Sequence, residues 1–256
     1  MTPHFSPAQL RQALNPFAWS TVYRGEVAWL PERTILLARG GSHAYGTNVA
    51  TSDVDYRGVC VAPRSYYHGF MESFEQADQK APDDDLVITE VRKFMRLAAD
   101  NNPSIIELLY TAPEHHLVTT NAGALLLASR NLFLSQKARH SFTGFAVANI
   151  KRIQTQDPHD KDAAKKNGKR AMQFTRLYRM AREIVVDGMV NVKRDDAAEL
   201  LDIRDGHWDL NDMTAWGRAQ DLELADLAKT TSLPHTANRK RLNEVCVAIV
   251  ESMMRG

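Results

Sequence analysis

An excess of charge of either sign is the first thing this chain lacks. Lys and Arg number 32 against 31 Asp and Glu, for a net charge of +1. No global field pulls it onto nucleic acid or an anionic membrane, so any polyanion must meet a local patch. Cysteine is scarce as well: Cys60 and Cys246 lie far apart, each in an apolar run. That argues against a disulfide framework and fits free, buried thiols in a reducing compartment. No run reaches the ~18 apolar residues of a membrane span, and the first residues lack the apolar core of a secretory leader. The expectation is a soluble, cytoplasmic protein with no membrane partner. Internal repeats, zinc-ligand spacing and a His-Glu-x-x-His motif are all missing, and His115-His116 reads as incidental. The Gly-rich turn at 40–42 is not a P-loop, because no Lys-Ser/Thr follows at the required spacing.

What is present has globular proportions. The 256 residues are 44% hydrophobic and 25% charged, enough for one large or two modest domains. One stretch organises the rest. The apolar run Thr34–Ala38 leads into Gly40-Gly41-Ser42, ten residues follow, and Asp53-Val54-Asp55 opens a second run to Val61. In a strand, residues two apart point to one face, so Asp53 and Asp55 project together. Two carboxylates held that close share a cation or raise a pKa. Mg²⁺ favours such a pair, completed by water and substrate phosphates. Glycines at 40 and 41 admit positive φ and let a phosphate approach the backbone, and Ser42 adds a hydroxyl and an amide.

Together these pieces resemble the nucleotidyltransferases of the DNA polymerase β superfamily, whose motif is Gly-Ser, some nine to thirteen residues, then Asp-hydrophobe-Asp. The fuller string, Gly41 to Thr47 followed by Ser52-Asp53-x-Asp55-x-Arg57-Gly58, resembles one branch, the RNA repair pathway DNA polymerase β family. The resemblance covers residues 33–112 and is looser beyond. It implies an α+β fold: a small mixed sheet, a polymerase-β-like palm, flanked by helices. Residues 1–112 would be the catalytic core and 113–256 a helical domain positioning substrate or nucleotide. It also implies a third carboxylate on a neighbouring strand. Asp85, which opens the run Asp85–Glu90 ahead of Val91-Arg92-Lys93-Phe94, fits that place; Glu90 is the alternative, with a structural reason of its own at a helix start.

Several residues keep two readings. His43 reads as a loop histidine ahead of a phosphate or base contact. Tyr45 either packs beneath the loop or stacks on a base. Arg57 either reaches a phosphate or makes a structural ion pair. Asn102 and Glu107 read first as architecture that fixes a helix against the sheet, with a direct substrate role as the alternative.

Elsewhere the sequence predicts a lead-in helix near Ser6-Pro7, a second from Thr21 to Leu30, and a loop-like stretch over 64–84. Further helices are expected at 90–99, after Asn102-Pro103, at 122–128, 141–153 and 171–186, near 195–203 and 221–229, and from 238 to 253. Lys161, Lys165, Lys166, Lys169 and Arg170 form a basic cluster, either a solvated face or a polyanion contact. By resemblance Lys169 and Arg176 are nucleotide-binding, although Gln173 stands where the family carries a His.

The activity implied is EC 2.7.7-type transfer of a nucleoside monophosphate from an NTP such as ATP to an acceptor hydroxyl. Asp53, Asp55 and Asp85 would hold two Mg²⁺ or Mn²⁺ ions ~3.5–4 Å apart, and Gly41 and Ser42 would cradle the phosphates. An RNA 3′ end, tRNA included, is the first acceptor expected. A protein acceptor, a small molecule, or a non-catalytic nucleotide- or RNA-sensing module are the alternatives. The sequence leaves oligomeric state open.

Overall fold

The computed structural model describes residues 17–81, 84–157 and 159–255. The helix expected near Ser6-Pro7 lies outside them. The described chain is α+β: a five-stranded mixed sheet with helices packed on it. In chain order it runs β1 (Thr34–Gly40), α1 (Gly41–Tyr45), β2 (Val54–Cys60), β3 (Gln76–Lys80), β4 (Asp84–Glu90), α2 (Val91–Ala99), α3 (Pro103–Tyr110), β5 (His116–Thr119) and α4 (Asn121–Ala128). The helices α5 (Lys137–Gln154), α6 (Ala163–Asp187), α7 (Ala197–Arg204), α8 (Leu210–Leu227) and α9 (Arg239–Met254) complete it. Short helical turns at Trp19–Val22, Leu30–Arg33 and Ser65–His68 join these elements.

Strand order is β3-β4-β2-β1-β5. The β2/β4 pair is parallel and the other pairs are antiparallel. Both faces of β1 are covered, which is why Ile35–Ala38 reads as a continuous apolar run. Leu36, Ala38, Val59 and Val61 join the main core with the helices. Leu37, Cys60, Leu86 and Ile88 form a smaller cluster with Leu30 on the other side. The main core runs without a break from Ile35 through Phe94 and Phe142 to Tyr178 and Ile249. Arg33, just ahead of β1, donates to the Met253 carbonyl at 3.0 Å and so ties the sheet to α9.

Three expectations are corrected. No helix spans Thr21–Leu30: the Tyr23 hydroxyl accepts from the Val27 N–H at 3.0 Å, closing a loop round Gly25. Pro31 then starts a helical turn instead of ending one. The stretch 64–84 is not all loop, because Gln76–Lys80 is an edge strand with alternate residues half-buried. Its low apolar content suits an edge. Gln79 pins it, accepting from the Arg24 N–H and donating to the Val22 carbonyl, both at 2.7 Å. Finally, His116–Thr119 lies beyond residue 112 yet pairs with β1 and completes the sheet.

Candidate active site

Two local facts build the site. The β1/β2 register sets Gly40 opposite Asp55, and α1 begins at the very next residue. The chain must turn sharply there, and Gly41 does so at φ +58°. The Asp55 carboxyl lies directly over Gly41: a Cβ at that position would sit 1.9 Å from Asp55 Oδ2. Gly46, left-handed at φ 75°, ends the short helix. Gly41, Ser42, Asp53 and Asp55 thereby line one cleft. Lys169, Gln173 and Arg204 line it from the helical side. The close approach of α6 to α7 depends on Gly168, where a Cβ would meet the Arg204 carbonyl oxygen at 1.9 Å.

Arg57 shares the face of Asp55, and its guanidinium organises the floor. Its Nη2 donates to Asp55 Oδ1 at 2.8 Å and to Asp85 Oδ2 at 3.3 Å. Its Nη1 donates to the main-chain carbonyls of Tyr56 at 3.0 Å and Asp85 at 3.2 Å. Burial raises the Asp55 pKa above the ordinary carboxylate range. Arg57 opposes that shift, while Asp53 and Asp85 add to it. Asp53 is more open, with Lys169 Nζ 4.0 Å from its Oδ1.

Tyr45 lines the cleft but belongs to a buried network below it. Its hydroxyl donates to Glu107 Oε2 at 2.5 Å, and Arg176 Nη1 donates to Glu107 Oε1 at 2.6 Å. The Arg176 guanidinium also stacks 3.8 Å over the Tyr45 ring. Gln173 holds the other edge of that guanidinium, accepting from Nε at 3.0 Å and Nη2 at 2.7 Å. Burial, against the pull of Arg176, pushes the Tyr45 phenol far above its usual range, so it remains a donor. Burial also disfavours the Arg176 charge, and Glu107 outweighs that.

The structure thus gathers Gly41, Ser42, Asp53, Asp55, Tyr45, Arg57 and Lys169 around the cleft. It sets Arg176 beneath the cleft, in the buried pair with Glu107. Asp85 sits beside Asp55 but outside the cleft lining. Glu90 is at the far end of β4, where it caps α2 by accepting from the Arg92 N–H at 2.9 Å and from the Tyr67 hydroxyl at 2.6 Å. Among the described residues no three His, Cys, Asp or Glu side chains are gathered to hold a metal ion. Asp53 and Asp55, one on each side of Val54 and both facing the cleft, are the carboxylates able to share a cation there. In the basic cluster, Lys166 pairs with Asp160 at 2.7 Å and Arg170 caps the Arg152 carbonyl at 3.2 Å, while Lys169 reaches the site.

Sequence reading missed Ser104, Thr111, Val192 and Arg204, all of which line the cleft. It read Glu107 first as architecture; the structure gives it that part in the buried pair with Arg176 and also sets it in the cleft lining. The one local signal available was the Gln173/Arg176 spacing on a helix, which places the two within reach of each other.

A mixed sheet that presents Gly-Ser and Asp-x-Asp to one cleft is the arrangement of a nucleotidyltransferase core. The chain belongs to the RNA repair pathway DNA polymerase beta family, whose profile matches residues 9–247. It is also 30% identical over 90 residues to an uncharacterized 38.9 kDa protein from the nrdC-mobD intergenic region of Enterobacteria phage T4. That alignment spans 32% of this chain and 27% of the phage protein. Among solved structures, a nucleotidyltransferase-like protein from Exiguobacterium sibiricum aligns over 93% of this chain and 73% of its own, at 12% identity and a TM-score of 0.31. Among the described residues no helix is long and apolar enough to cross a membrane.

Proposed function

We propose that this protein transfers a nucleoside monophosphate from an NTP to an acceptor hydroxyl, with an RNA 3′ end as the acceptor. The observation that carries the reading is the cleft itself: Asp53 and Asp55 meet Gly41 and Ser42 on one wall, and Lys169 and Arg204 face them from the other. The family description supplies RNA repair as the context.

The acceptor oxygen bonds to the α-phosphorus, the bond from that phosphorus to the bridging oxygen breaks, and pyrophosphate leaves with the electron pair. The acceptor's proton passes to water. Gly41 and Ser42 would cradle the terminal phosphates, and Lys169 and Arg204 would complement their charge. Asp53 and Asp55 fit Mg²⁺ or Mn²⁺, because such an ion takes one or two carboxylates and completes its shell with water and substrate phosphates. Bound there, it would neutralise phosphate charge and ease ionisation of the attacking hydroxyl. The protein's own part is positioning and a preorganised field. Tyr45, locked by Glu107 and Arg176, keeps the Gly41–Tyr45 turn in place.

The test offers each NTP, radiolabelled at the α-phosphate, with Mg²⁺ or Mn²⁺ and with tRNA, a short RNA or cell protein. Label on RNA that vanishes in Asp53→Ala and Asp55→Ala, while both variants stay folded, is the expected result. Label on protein would move the acceptor to a polypeptide. Full activity in either variant would sink the site assignment. NTP binding with no transfer to any acceptor would favour a sensing module.

A further inference from the structure

We infer that Arg57 is a built-in cation occupying the place between Asp55 and Asp85, so that the chain holds a single divalent ion, on Asp53 and Asp55. This rests on the nucleotidyl-transfer reading and narrows it. A three-carboxylate site for two ions is what the sequence resemblance implies, and the geometry of the floor departs from it.

The parallel β2/β4 register sets Asp55 directly beside Asp85. Neighbouring strands lie ~4.8 Å apart, so the two carboxylates share one face and need a cation between them. The protein supplies that cation itself. Both terminal nitrogens of Arg57 carry two acceptors each: one has the two carboxylates, the other the Tyr56 and Asp85 carbonyls.

The main-chain pair decides how fixed the guanidinium is. A side chain held only by carboxylates could swing aside for an incoming ion. One that is also bonded to the backbone of two paired strands is anchored to the sheet. Its stem is accommodated as well, since a Cβ on Gly40 would lie 3.3 Å from Arg57 Cγ. A guanidinium keeps its charge at any working pH.

The carboxylates divide accordingly. Asp85 turns Oδ2 to Arg57 and stays out of the cleft lining. Asp55 gives Oδ1 to Arg57, while its Oδ2 lies over Gly41. Among the described residues, the Asp53 carboxylate has only the distant Lys169 contact. An ion entering the cleft therefore meets Asp53 and one oxygen of Asp55. A second ion between Asp55 and Asp85 would have to displace a tethered guanidinium.

The experiment counts ions, not turnover. The full chain, with a non-hydrolysable NTP analogue, is titrated with Mn²⁺, and the free ion is read by electron paramagnetic resonance. One bound ion per chain is expected for the wild type and for Asp85→Asn. Asp55→Asn should lose it. Arg57→Ala, checked for folding by circular dichroism, should gain a second ion as Asp85 is released. Two ions in the wild type, falling to one in Asp85→Asn, would overturn the inference and leave the nucleotidyl-transfer reading standing. No ion held at all in the presence of nucleotide would overturn both. If Arg57→Ala does not fold, the wild-type and Asp85→Asn counts still decide the matter.

Discussion

Replacing Arg176 with Met tests the buried network most directly. The Arg176–Glu107 pair has side-chain exposures of 3% and 9%, so solvent screens it little. Removing the arginine leaves a buried carboxylate with the Tyr45 hydroxyl as its remaining side-chain partner. Breaking such a pair from one side typically costs about 3–5 kcal/mol. With a urea m-value near ~3 kcal/mol/M, the midpoint should fall by roughly 1 M or more. The double variant Arg176→Met/Glu107→Gln removes the stranded charge while keeping an acceptor for Tyr45. It should recover most of the loss, to within ~1 kcal/mol of wild type. Arg179→Met is the control: its pairs with Asp196 and Glu199 are more exposed, and the cost should be about 1 kcal/mol or less. Urea unfolding followed by circular dichroism reads all three. A cost for Arg176→Met no larger than the control, or a double variant no more stable than Arg176→Met alone, would refute the desolvated pair.

Other consequences concern the site and its surroundings. Gly41→Ala puts a methyl 1.9 Å from Asp55 Oδ2 at a left-handed position. It should cost about 1–2 kcal/mol and, by displacing Asp55, lower transfer by roughly a hundredfold; near-normal turnover would contradict the close approach. Glu90→Gln should destabilise the protein by about 0.5–2 kcal/mol through the weakened cap, with Mn²⁺ binding intact, and loss of the ion would return Glu90 to the ligand set. The raised Asp55 pKa carries a pH signature. The native state keeps this proton to higher pH than the unfolded chain, so Asp55 subtracts stability as pH rises from ~3.9 through its raised value. Asp55→Asn should therefore gain on the wild type at neutral pH, and the gap should close toward acid pH in paired urea titrations. A gap that widens toward acid pH would reverse the assignment.

Much of the site was legible because it is local. A strand, a glycine turn and an Asp-x-Asp on the next strand are set by residues close in sequence, where alternation and φ preference act directly. The same holds for most helices after Asn102, whose periodic apolar faces and caps announce them. Edge strands β3 and β5 were illegible for the opposite reason: their hydrogen-bond partners, not their composition, make them strands. Gln79 holds β3 by bonds to Val22 and Arg24, nearly sixty residues away.

By itself the sequence determined the chemistry on offer, namely which carboxylates, glycines and cations the chain can bring. Tertiary structure alone decided which of them meet. The parallel register placed Asp85 beside Asp55 and Arg57 between them. Packing of α6 among the neighbouring helices turned Arg176 into Glu107 of α3 and left Lys169, on the same helix, at the cleft. Spacing along a chain fixes the face on which a side chain emerges. Only the pairing of distant segments fixes what lies across from it.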